Sequence, residues 1–194
     1  LLDRFMIMGE LGLDGTVREV PGALPIAELT RRSGLQGCIL PQESAMEAVE
    51  YDGIDVYGVE NLDDVLRILG GEEPCEDLLA RNRMKDYLSG EVGVQDFGVM
   101  DFSEIIGQEG AKRGIEIAAA GGHNAILIGP PGSGKSSLAK AMAGILPPMT
   151  MEESLQTSKI YSVAGKGSPR GGLLRQRPFR SPHYSASIAA LLGG

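Results

Sequence analysis

The chain has no tryptophan, four phenylalanines, five tyrosines and two cysteines in 194 residues. With so few rings, the core has to rest on Ile, Leu, Val, Ala and Met. Cys38 and Cys75 stand far apart and fit neither a metal nor a redox spacing. That excludes a disulfide scaffold and points to a reduced, cytoplasmic setting. Histidine occurs only at His123 and His183, too few for a protein zinc site. No apolar run approaches membrane-spanning length, so no membrane partner is expected. No signal peptide is visible. The chain starts inside a strand-like pattern, Phe5-Met6-Ile7-Met8, without an initiator methionine, and is expected to be an excised segment. Two local absences matter later: there is no lysine before Lys85 and no acid after Glu153.

What is present is ordinary for a globular chain, at 42% hydrophobic and 23% charged residues, long enough for one large or two small domains. Glycine is abundant, at 28 residues, which suits many αβ turns. The net charge of −8 is unevenly spread. Residues 1–104 hold 22 acids against eight bases, residues 105–153 hold four of each, and residues 154–194 hold six bases alone. Those six are Lys159, Lys166, Arg170, Arg175, Arg177 and Arg180. Such a split suggests two modules with different partners. The acidic part is a poor match for nucleic acid. The basic end suits nucleic acid, nucleotide phosphates or an acidic neighbour.

One segment carries explicit chemistry. Gly129-Pro130-Pro131-Gly132-Ser133-Gly134-Lys135-Ser136 fits the phosphate-loop pattern G-x-x-x-x-G-K-[ST] at every fixed position. The glycines let the backbone turn tightly and aim its N–H groups inward. The start of the following helix adds positive partial charge. Lys135 reaches β/γ-phosphates as a point charge, and the Ser136 hydroxyl suits Mg²⁺. Ser137 follows in the same turn. Ala125-Ile126-Leu127-Ile128 reads as a buried strand just before the loop. Ser137 to Ala143 reads as the helix after it, stopped by Gly144 and Pro147-Pro148.

The remaining chain reads as alternating elements. Residues 5–11 and 16–20 flank Asp14-Gly15 as a hairpin. A helix is expected over 25–33, a strand over 37–40, and a helix opened by a Ser44/Glu47 capping box. A strand over 54–59 follows, then a helix capped by Asn61 with Leu62, Val65, Leu66 and Leu69 on one face. The order ββαβαβα implies an α/β layered module over 1–70. Residues 71–96 read as an acidic linker, with a short helix near 77–88. In 97–194, helices are expected over 108–120 and, from a Thr150/Glu153 capping box, to about Ser158. Residues 162–183 read as irregular and basic, with a last helix over 185–192.

Four strings together carry a resemblance. Asp101 to Glu109 resembles the segment before the first helix of AAA+ ATPases, where Ile106-Gly107-Gln108 would approach the adenine. GIEIAAAGGHNAILIGPPGSGKS from Gly114 and RQRPFRSPHYSAS from Arg175 are similar to the magnesium-chelatase-like AAA+ proteins of the ComM type. MGELGLDGTVREVPGALPIA from Met8 resembles the C-terminal half of a Lon-protease domain. The resemblance implies a partial Lon-like α/β domain over 1–70, followed over 97–194 by the first part of a three-layer αβα P-loop domain. Active Lon-type domains place a catalytic lysine near the end of this hairpin. Pro21-Gly22-Ala23-Leu24-Pro25 has none, so the domain is expected to be proteolytically inert. The family's Pro-His-His reads Pro182-His183-Tyr184 here, which puts any role needing both histidines in doubt.

The resemblance implies ATP or ADP with Mg²⁺ as cofactors, a homo-oligomeric ring, a hexamer, as assembly, and DNA as partner. Arg175, Arg177, Arg180 and His183 are candidate DNA or subunit contacts, with a solvated basic loop as the plain alternative. No catalytic residue is expected in the segment itself. Walker B acids, sensors and an arginine finger would lie outside it or in a neighbouring subunit. The expected function is the ATP-binding segment of a ring ATPase working on DNA in branch migration or recombination. A protein remodeller without a DNA role and a magnesium-chelatase motor are the alternatives.

Overall fold

The computed structural model describes residues 2–71, 75–89, 100–167, 171–183, 185–187 and 189. By compactness the chain divides into two units, Leu1–Gln95 with Thr150–Leu174, and Asp96–Met149 with Arg175–Gly194. Residues 150–174, expected with the second module, therefore pack with the first.

The first unit is α/β, as expected. Its sheet has three parallel strands in the order β1 (Phe5–Ile7), β4 (Gly37–Pro41), β5 (Asp55–Val59). Met6 sits opposite Cys38, and Cys38 opposite Val56. β4 is central and buried along its whole length, which is why it reads as a continuous apolar run. The hairpin at Asp14-Gly15 exists but is short: β2 (Glu10–Leu11) pairs antiparallel with β3 (Val17–Arg18). Residues 5–7, read as part of it, belong to the parallel sheet instead.

Helices α1 (Ala23–Arg32), α2 (Gln42–Ala48) and α3 (Leu62–Gly70) connect and follow the strands. α1 starts two residues earlier than expected, after Gly22 at φ 96°, with Pro25 in its first turn. The Ser44/Glu47 capping box does not form. α2 begins at Gln42, which places Ser44 inside the helix. The Ser44 hydroxyl accepts from Val20 N at 3.2 Å and donates to Val20 O at 3.0 Å, tying the α2 turn to the strand exit. Asn61 does cap α3, accepting from Asp64 N at 2.9 Å. The buried side of α3 is rotated from the expected one. Ile68 is buried, Val65 and Leu69 pack beside it, and Leu62 and Leu66 are exposed.

The acidic stretch after α3 is not a solvated connector where it is described. Cys75, Leu78, Leu79 and Ala80 are buried, and α4 (Ala80–Ser89) begins there. Beside this apolar strip, Asp77 pairs with Arg67 of α3 at 3.3 Å, and Arg81 of α4 pairs with Asp55 of β5 at 3.6 Å. Glu72–Pro74 and residues 90–99 lie outside the described residues.

α7 (Met151–Val163) completes the first unit by packing on α1. Its Thr150/Glu153 capping box forms as expected, with Thr150 N donating to Glu153 Oε2 at 2.9 Å. The helix runs past Ser158 to Val163. It buries serines, Ser154, Ser158 and Ser162, spaced four apart on one face. Each hydroxyl has a partner. Ser154 Oγ donates to Leu174 O, Ser158 Oγ accepts from Leu174 N at 2.8 Å, and Ser162 Oγ donates to Glu47 Oε2 at 2.8 Å. Leu173 and Leu174 are thereby buried, and Gly172 N bonds Met46 O at 2.7 Å. Lys159 pairs with Glu28 at 2.8 Å.

The second unit is helical in its described part. α5 (Glu109–Gly121) packs against α6 (Lys135–Ile145), burying Ile115, Ala118, Ala119, Leu138 and Ala141. Ala125–Ile128, expected as a buried strand, pairs with no strand among the described residues, and Ile126 and Ile128 are 84% and 90% exposed. A strand is stable only with hydrogen-bonded neighbours, and none is described beside this one. The helix expected over 185–192 falls mostly outside the described residues.

Candidate phosphate-binding loop

The loop lies between residues 123–128 and the N-terminus of α6. Gly134 caps that helix at φ 83°, ψ 8°, and Gly132 turns at φ 78°. Both conformations are left-handed, which favours glycine. Nothing lies within 4 Å of where a Cβ would stand on either, so the constraint is torsional and not steric. Leu138 N bonds Gly134 O at 3.0 Å, starting the helical ladder. The first amides of α6 have no partner within the helix, so they present donors at the loop.

Lys135 is folded into the loop. Its Nζ donates to Gly129 O at 2.9 Å, Pro130 O at 2.6 Å and Ser133 Oγ at 3.3 Å. A strongly hydrated ammonium thus takes the loop's own carbonyls as partners. Ser136 lies exposed in the first turn of α6, and Ser137 beside it is half-buried. Pro131 is exposed. The donor set therefore fits a polyphosphate with Mg²⁺: backbone amides, one ammonium and one hydroxyl.

The Ile106-Gly107 turn stands close in sequence to α5. Ile106 is 95% exposed and Gly107 has φ 72°. Gln108, the next residue, belongs to the Ile-Gly-Gln string that the resemblance sets near the adenine, but its contact with the loop was not expected from the sequence. Its Nε2 donates to Ser133 O at 3.1 Å, which joins this turn to the loop. Ahead of it, Asp101 and Glu104 form a capping box on a short 3₁₀ turn that packs against α6. The Ser103 hydroxyl and amide bonded to Asp101 hold its carboxyl below the usual range.

His123 has a structural place. Its N–H bonds Ala118 O at 2.8 Å after Gly122 at φ 63°, closing the C-terminus of α5. Between α5 and residues 123–127 runs a groove of about 330 Å³, lined in part by Ile115, Ile117 and Ile126.

The basic residues differ in exposure and in their partners. Arg175 and Arg180 are exposed, while Arg177 is half-buried with its Nε bonded to Pro147 O at 2.7 Å. His183 Nδ1 lies 2.7 Å from Ser185 Oγ. Phe179 is half-buried. Arg170 and Tyr184 lie outside the described residues. Among the described residues no group of His, Cys, Asp and Glu could hold a metal, and no helix is long and apolar enough to cross a membrane.

A family profile described as "Magnesium chelatase, subunit ChlI" matches residues 101–194, and one described as "Subunit ChlI of Mg-chelatase" matches residues 1–44. The chain belongs to the magnesium-chelatase-like proteins, and its second unit is part of an AAA+ domain. Within that class it is of the ComM type. It is similar to YifB of Escherichia coli, 40% identical over 193 residues, covering 100% of this chain and 36% of that protein. It is similar to the competence protein ComM of Haemophilus influenzae, 37% identical over 193 residues with the same coverage. An archaeal Lon protease of Halobacterium salinarum is 36% identical over 125 residues, or 62% of this chain and 16% of that protein. The chain thus spans about a third of the length of its first curated relatives.

Proposed function

We propose that the chain carries the nucleotide-binding part of an AAA+ ring ATPase that acts on DNA. The observation that carries the reading is the loop from Gly129 to Ser136. Two left-handed glycines, the N-terminus of α6 and the Lys135 ammonium converge there, beside a serine hydroxyl. ATP or ADP with Mg²⁺ is the ligand this donor set fits. The loop amides and Lys135 would hold the phosphates, Ser136 would ligate the Mg²⁺, and Ile106-Gly107 would lie against the adenine. The bound Mg²⁺ supplies charge neutralisation at the β- and γ-phosphates.

Hydrolysis needs more than this. The acids that follow the loop, Glu152 and Glu153, sit in the first turn of α7, and Glu153 is engaged in its capping box. The carboxylates that orient water and complete the metal site therefore belong to other parts of the whole protein, or to a neighbouring subunit in a homo-oligomeric ring such as a hexamer. The Lon-like unit acts as an inert packing module. Its α1 starts at Gly22-Ala23 without a lysine.

A DNA role is supported by the acid-free basic stretch after Glu153, and a role in competence by the name of the Haemophilus relative. A cytoplasmic location goes with both. The family description alone favours a second reading, a motor for metal insertion. The Lon similarity speaks against it. The test uses the full-length protein: ATP turnover with and without branched DNA, in wild type and in an Arg175→Glu, Arg177→Glu, Arg180→Glu variant. DNA-stimulated turnover lost in the variant supports the proposal. Turnover indifferent to DNA in both overturns the DNA role, and porphyrin-dependent turnover would favour metal insertion.

A further inference from the structure

Gln108 is the only non-glycine residue with a left-handed backbone among the described residues, at φ 61°, ψ 32°. A β-carbon is disfavoured there. Glycine would relax the turn, and Gly107 just before it already adopts φ 72°. Gln108 is also the N-cap of α5, yet its side chain makes no cap bond. Its carbonyl accepts from Lys112 N at 2.9 Å as the helix requires. The side chain instead reaches Ser133 O, 25 residues along the chain, at 3.1 Å. A residue with a strained backbone and an unused capping role spends its amide on the phosphate loop.

The consequence follows from peptide geometry. No cis peptide is present among the described residues, and in a trans peptide the C=O and the next N–H point in opposite directions. Holding the Ser133 carbonyl toward Gln108 therefore directs the Gly134 N–H away from it. Gly134 is the loop residue that opens α6. Ser133 is held from two sides, its carbonyl by Gln108 and its hydroxyl by Lys135. A Lys135 drawn to a phosphate would release the Ser133 hydroxyl, whereas the Gln108 bond to the Ser133 carbonyl does not depend on Lys135.

We infer that Gln108 is a positioning residue for polyphosphate binding, acting by fixing the direction of the Gly134 amide. The inference rests on the nucleotide reading above and extends it to a residue outside the loop. The test measures binding of Mg–ADP and of Mg–tripolyphosphate by calorimetry, to the chain and to its Gln108→Gly, Gln108→Ala and Gln108→Glu variants. Gln108→Gly removes the amide while relieving the backbone, so helix content and thermal stability stay at or above wild type. Its affinity for both probes is expected to fall roughly 5- to 10-fold, the worth of one hydrogen bond. Gln108→Glu, whose carboxylate cannot donate, falls at least as far. Wild-type binding of both probes by Gln108→Gly overturns the inference. So does a loss confined to Mg–ADP, which would assign the residue to the base. If wild type binds neither probe, the nucleotide reading itself fails, and the inference falls with it.

Discussion

The buried serine face of α7 yields the sharpest stability prediction. Ser158 Oγ accepts from Leu174 N at 2.8 Å, with Ser158 and Leu174 each 3% exposed. Ser158→Ala leaves that amide buried without its acceptor, and water has no access to replace it. The cost is the desolvation penalty of one donor, about 1–3 kcal/mol. Ser154→Ala deprives Leu174 O, a carbonyl with two lone pairs, and should cost less. The ranking, Ser158→Ala worse than Ser154→Ala, follows from which group is orphaned. Urea unfolding followed by far-UV circular dichroism gives the global loss. Amide exchange at Leu174 gives the local one, and it should speed by the same free energy. A Ser158→Ala change within about 0.5 kcal/mol of wild type, the scatter of surface substitutions, with Leu174 exchange unaltered, would refute the reasoning.

Two further predictions concern charge and backbone. Glu47 is partly buried under Ser162, and burial, reinforced by Glu19, raises its carboxyl above the usual range against the lowering effect of the Ser162 bond. The folded state therefore holds the proton more tightly than the unfolded chain. The stabilisation is complete below about pH 4.3 and is lost as pH rises from there through the raised folded value. Glu47→Gln keeps an acceptor for Ser162 and should flatten that slope in urea melts, while an unchanged slope would count against it. At the loop, Gly134→Ala puts a β-carbon at φ 83° and costs roughly 1–2 kcal/mol of loop strain. Mg–ADP affinity should drop about tenfold with the helical spectrum preserved, and intact affinity would show that this backbone is not needed.

Much of the first unit was legible because its signals are local. A continuous apolar run gave β4, Asn61 gave its cap, and Asp14-Gly15 gave a turn. The misreadings have one physical origin, namely that tertiary partners override local chemistry. Ser44 looked like a cap until Val20 took its hydroxyl. The acids around Pro74 looked like a linker because charge masked the buried Leu78, Leu79 and Ala80. α7 could not be assigned to the first unit, since serines carry no hydrophobic period and their partners are distant in sequence. At the candidate site the motif itself was readable, residue by residue. The Gln108 bond was not, because a left-handed glutamine has no sequence signature. The strand at Ala125–Ile128 was read from composition, but strand formation needs neighbours that are not described beside it.

The central claim is that the amides and ammonium of the Gly129–Ser136 loop hold a nucleotide's phosphates. Titration of the chain with Mg–ADP, in parallel with Lys135→Ala, tests it most directly. Saturable one-to-one binding by wild type and its loss in the variant is the predicted result. No binding by wild type, or equal binding by Lys135→Ala, would contradict it.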